Sequence, residues 1–180
     1  MSSQNAAPRL QSFLAAVRSP RLKQLIAYWF DRRSEAAVTK RSAIDPLDFP
    51  ALLPRIFLYD YDPVARRFVL RLAGEEIRNL LPNSTPGTPI EQIMPAAELD
   101  NVLARYGRVC EEPAIMHAAG RVFLKLGGSG VGERVVLPLA GEDGKVRQMI
   151  GATIYDIDRA LPDAGILDHG EVAVSFLPLT

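Results

Sequence analysis

Two histidines, one cysteine and an arginine set inside an apolar run are the residues of this chain with the types to do chemistry. A hydrolase using Cys110 or a serine needs an imidazole beside the nucleophile and an acid to orient that imidazole. His117 follows Cys110 closely, but Cys110 ends a helical pattern and His117 falls in a strand pattern. No nucleophile-elbow motif accompanies them, and His169 lies in the C-terminal tail. Catalysis is therefore not expected. Cys110 reads as a small buried thiol and His117 as a partly exposed imidazole. With a single cysteine, no intrachain disulfide and no cysteine-based metal cluster can form, and no metal site is expected. The glycines Gly127, Gly128, Gly130 and Gly132 would cradle a phosphate only if a helix followed them. Arg134-Val135-Val136-Leu137 follows instead and reads as strand, so a hairpin turn is expected.

Arg71 sits in Phe68-Val69-Leu70-Arg71-Leu72. A buried guanidinium must be paired. Asp45, Glu75 and Asp156 are candidate structural partners, and a ligand carboxylate or phosphate is the functional alternative. The structural pairing is preferred. Tyr28, Trp29, Tyr59 and Tyr106 are amphipathic rings that suit a pocket wall or a core whose hydroxyls find partners at the edge. Tyr106 leads among them, because the long helix that carries it would wall any cavity.

The elements that must position these groups follow from periodicity. Ile56-Phe57-Leu58-Tyr59 and Phe68 to Leu72 read as two strands joined at residues 61 to 65. Both are apolar on both faces, so the sheet needs cover on both. Leu99, Val102, Leu103, Tyr106, Val109 and Cys110 form the stripe of a helix over residues 96 to 111. Three further strands are expected in residues 114 to 126, 133 to 139 and 148 to 157, joined by glycine-rich turns at 127 to 130 and 141 to 144. Ahead of the hairpin, Leu10, Phe13, Leu14 and Val17 recur at helical spacing. Ser19-Pro20 then caps and starts a helix whose stripe is Leu22, Leu25, Ile26 and Trp29. The order predicts an α+β domain with a five-stranded antiparallel sheet. Its divisions are a helical cap at 1 to 33, a proline-rich packed linker at 34 to 54, a core at 55 to 157 and a tail at 158 to 180. In the tail, alternating Val172, Val174 and Phe176 fit an edge strand or a segment that orders on a partner.

Composition agrees. An apolar fraction of 48% over 180 residues supports one packed core. Twenty-one basic residues balance 21 acidic ones, so no global field draws the chain to nucleic acid or anionic lipid. No segment has the length to cross a bilayer and the N-terminus lacks a signal-peptide core. A cytoplasmic protein is expected.

With the elements placed, the chain resembles a PAS domain, and more narrowly the stand-alone bacterial PAS proteins that carry little besides the domain and an N-terminal helix. The likeness spans roughly residues 25 to 157. It rests on Tyr28-Trp29, Ile44-Asp45-Pro46 with Leu52-Leu53-Pro54, Arg71-Leu72-Ala73-Gly74 and Leu137-Pro138-Leu139. Glu75 departs from the small hydroxylic residue usual after the strand-ending glycine. The resemblance implies short helices and one long helix on one face of the sheet and the N-terminal helix on the other. It implies a sensory or regulatory role without catalysis. A small, largely apolar molecule would lie between the sheet and residues 75 to 110, with Arg71, Tyr59, Tyr106, His117 and Leu103 as its expected contacts. A sensor kinase or another two-component protein is the implied partner. A homodimer through Leu10, Phe13, Leu14 and Val17 is expected, because that stripe is otherwise uncovered. Haem held by a histidine of the long helix is disfavoured, since residues 96 to 111 contain none. Flavin attached to a cysteine is disfavoured, since residues 74 to 95 contain none. The rival is an interaction or dimerisation module of the same fold with a filled core and no ligand.

Overall fold

Strand β1 (Ile56–Asp62) is apolar on both sides because it runs inside a sheet that is covered on both. The computed structural model describes residues 6–33, 36–81, 83–124, 129–157 and 172–179. β1 pairs with β2 (Arg67–Ala73) and β5 (Val146–Ile157), and β4 (Ser129–Ala140) and β3 (Ala114–Leu124) continue the sheet. A sixth strand, β6 (Val172–Pro178), closes the far edge against β3, so the order is β2-β1-β5-β4-β3-β6 and every pairing is antiparallel. The α+β antiparallel sheet is as expected, with six strands in place of five. β6 is the edge strand that the alternation of Val172, Val174 and Phe176 allowed, and the rest of the tail, with His169, lies outside the described residues. The link at 127 and 128 lies outside them too. The turn at 141 to 144 is a hairpin, with Gly144 at positive φ.

One face is roofed by α3 (Glu75–Leu80), α4 (Ile90–Ile93) and α5 (Ala96–Glu111). α5 has the predicted bounds, and its stripe buries Val102, Tyr106, Val109 and Cys110, with Leu99 and Leu103 partly covered. The other face is floored by α2 (Pro20–Asp31). Ser19 caps it through its hydroxyl, Pro20 opens it, and Leu22, Leu25, Ile26 and Trp29 are all buried. The Trp29 indole N–H donates to the Pro138 carbonyl of β4 at 2.9 Å. The linker folds back as three short 3-10 turns, the last at Pro50–Arg55.

α1 (Ala6–Ala16) corrects an expectation. Phe13 and Val17 are buried and Leu10 and Leu14 pack on the core, because the helix and its last turn lie on the chain's own sheet beside β6. The stripe is therefore covered in large part by the chain's own sheet. Among the described residues no helix is long and apolar enough to cross a membrane.

Candidate functional site

Side chains of successive strand residues leave through opposite faces, and on β4 this separates two opposite charges. Glu133 points to the N-terminal helices and Arg134 to α5. Arg134 is only 6% exposed. Its Nε donates to Thr153 Oγ1 at 2.8 Å and its Nη1 to the Tyr106 hydroxyl at 3.3 Å. Register explains the first contact, since Arg134 stands directly across from Thr153 on β5. The guanidinium carbon lies 5.3 Å from the centre of the Phe57 ring, a cation–π placement.

The rings around it form one cluster. Phe57 stacks on Tyr106 at 6.2 Å, Tyr59 meets Tyr106 at 6.1 Å and Phe68 meets it edge-on at 6.0 Å. Tyr61 stacks on Phe68 at 4.8 Å, and its hydroxyl donates to Glu111, the carboxylate that also takes Arg66. Gly151 makes room for this cluster. It stands opposite Phe57 in the sheet, and a methyl group there would lie inside the Phe57 ring.

The electrostatics follow from burial and chiefly from one cation, Arg134. Burial pushes the Tyr59 hydroxyl above its ordinary range; Tyr106 adds to this and Arg134 opposes it. Tyr106 is raised by burial against the pull of Arg134. Tyr155 is pushed up to about 12 by burial, again with Arg134 pulling the other way. Three phenols thus stay protonated around the Arg134 guanidinium. The arrangement can hold an apolar body by ring contact and present N–H and O–H donors to an acceptor.

On the opposite face, burial alone would push the Glu133 carboxyl up. The amides of Arg18 and Ser19 and the His117 imidazole outweigh burial and hold it below the usual carboxylate range.

The expected contacts are partly brought together. Tyr59 and Tyr106 meet beneath the roof, and Leu103 lies on the same helix, partly buried. His117 does not join them. It is buried on the N-terminal side of the sheet, bonded to Glu133 at 2.8 Å with Phe13 against its ring. It is therefore not the partly exposed imidazole expected. Cys110 is buried on α5, where burial pushes its thiol up to about 12. Among the described residues no group of three or more His, Cys, Asp or Glu is placed to hold a metal ion.

Arg71 is the clearest miss. Leu58 pairs with Leu72 and Tyr59 with Leu70, so Arg71 is the extra residue of a β-bulge. The bulge turns its side chain out to 59% exposure, where it meets Asp60 at 3.5 Å in place of Asp45 or Glu75. Asp156's side chain lies outside the described residues. Exposed pairs of this kind contribute at most about 1 kcal/mol. Arg71→Ala is thus expected to move the melting temperature by less than about 4 °C, and a thermal melt checks it.

Arg134, Thr153 and Tyr155 were not anticipated. The available signal was Glu133-Arg134 at the head of an apolar strand. In a sheet covered on both faces, two adjacent charges put one charge under each cover, and each must find partners there.

A family model described as PAS domain matches residues 17–154 of the chain. No curated protein matches it.

Proposed function

This chain belongs to the PAS domain family, and from that premise we propose a non-catalytic sensor that binds a small, largely apolar molecule carrying one acceptor group. The observation that carries this is Arg134, a guanidinium buried beneath α5 among Phe57, Tyr59 and Tyr106. The rings take the apolar body, and Arg134 with the hydroxyls of Tyr106 and Thr153 takes the acceptor, a carboxylate being the best match to a guanidinium. The family supports the regulatory role, and the separation of Cys110 from His117 by the sheet supports the absence of catalysis. Signalling then goes by contact, with occupancy shifting the packing of the helices over the sheet or of the N-terminal helices. A two-component signalling protein in the cytoplasm is the partner we propose. The second reading is an interaction module with no ligand, favoured by the direct contact of the rings with one another.

Native mass spectrometry of the purified full-length protein separates the two. A bound mass lost on denaturation is expected. An aromatic or branched aliphatic carboxylate added at about 100 times its Kd should then stabilise the wild type by about 2.7 kcal/mol. Arg134→Met should lose most of that ligand-dependent shift. Protein of the bare sequence mass, with no shift from any carboxylate, would leave the filled module standing.

A further inference from the structure

Glu133 closes the opposite face with an unusual set of donors. Its Oε1 accepts the Arg18 amide at 2.6 Å and the His117 Nε2–H at 2.8 Å, and its Oε2 accepts the Ser19 amide at 2.7 Å. The carboxylate is therefore seated where α1 ends and α2 begins, beneath the N-cap of α2. Helix N-termini favour negative charge. Phe13 of α1 stands edge-on to the His117 ring at 6.0 Å, so the same pair also supports α1. α1 has 11 residues, too few to persist as a helix without its dock. The far end of α2 has a separate anchor in Trp29 and Pro138.

We propose that Glu133 is the latch of a releasable N-terminal arm: α1 and the α1–α2 junction undock from the sheet as one unit while the Trp29 end of α2 stays seated. This deepens the sensory reading and rests on it for its purpose, since a ligand drawing on Arg134 pulls the peptide that also carries Glu133. Release would give the domain two states that differ in whether Phe13, Val17 and His117 are covered. A partner would read that difference.

Hydrogen exchange on the full-length protein, with no ligand added, tests the latch. Glu133→Gln keeps the shape but aims an amide N–H2 at groups that are themselves donors. Exchange of residues 9 to 22 should rise at least tenfold, while residues 25 to 31 and strands β4 and β5 keep wild-type rates. Unchanged exchange at 9 to 22, or an equal rise through α2 and the sheet, would overturn the latch. A second variant approaches from the other side. Ser19 has φ −67°, the value proline requires, so Ser19→Pro deletes the donated N–H together with the cap. Ser19→Ala deletes the cap alone. Ser19→Pro should free the arm, Ser19→Ala should not, and adding Ser19→Pro to Glu133→Gln should change little further. Full additivity of the two would also sink the proposal. Because no ligand enters these experiments, an empty interior in the mass measurement leaves the latch untouched, and a failed latch leaves ligand binding untouched.

Discussion

Gly74→Ala is expected to lower the melting temperature by about 6–12 °C, the equivalent of about 3 kcal/mol in a domain of this size. Gly74 ends β2 and hydrogen-bonds back to Ile56 at 2.8 Å. A methyl group on it would lie within the backbone of Leu53 and Pro54. Side chains can rotate away from such an intrusion, but this neighbour is main chain, in a 3-10 segment fixed by Pro50 and Pro54. The only relief is to part β2 from the linker, which would disturb the start of α3 as well. Gly87→Ala is the control. Gly87 has φ +90° and open space around it, so its substitution costs backbone strain alone, about 1–2 kcal/mol. If thermal melts showed Gly74→Ala no worse than Gly87→Ala, the close approach of the two segments would be wrong.

Trp29→Ala should cost more still, about 3–5 kcal/mol, or about 6–20 °C. Trp29 is fully buried and is the largest side chain of the α2 stripe. Its loss leaves a cavity between the helix and β4 and strands the Pro138 carbonyl without its donor. Trp29→Phe separates the two contributions. It keeps most of the volume and removes only the donor, so about 1–3 kcal/mol is expected. The Trp29 carbonyl also accepts the Thr39 hydroxyl, and Thr39 in turn receives the Ala140 amide. A poorly seated α2 would therefore loosen the first residues of the linker too. Calorimetry on the three proteins decides it. A Trp29→Ala protein as stable as an exposed Val64→Ala variant would remove α2 from the core.

What was legible in the sequence was local. Ser19-Pro20 and the stripe from Leu22 to Trp29 marked α2, because a cap and a helical period need only neighbours a few residues away. The two-faced apolarity of Ile56 to Tyr59 required cover above and below, and α5 and α2 supply it. What was hidden depends on distant partners. Arg71 looked buried because a strand pattern assumes strict alternation, and a bulge that breaks alternation is set by pairing across to β1. Phe13 and Val17 looked uncovered because their cover includes strands at the other end of the chain. Arg134 reads only as the start of a strand, because it takes the fold to place Tyr106 and Thr153 around it. His117 went astray for the same reason: its face is decided by Glu133 and by the amides of Arg18 and Ser19.

The lean of α1 on β6 also orders events in time. α1 cannot complete its seat until β6 has emerged from the ribosome, roughly 10–30 s later at usual translation speeds. Through that interval Phe13 and Val17 face water, or whatever chaperone is at hand. Nascent chains halted before residue 172 should be bound by such helpers, and a halted chain long enough to expose residue 178 should be let go.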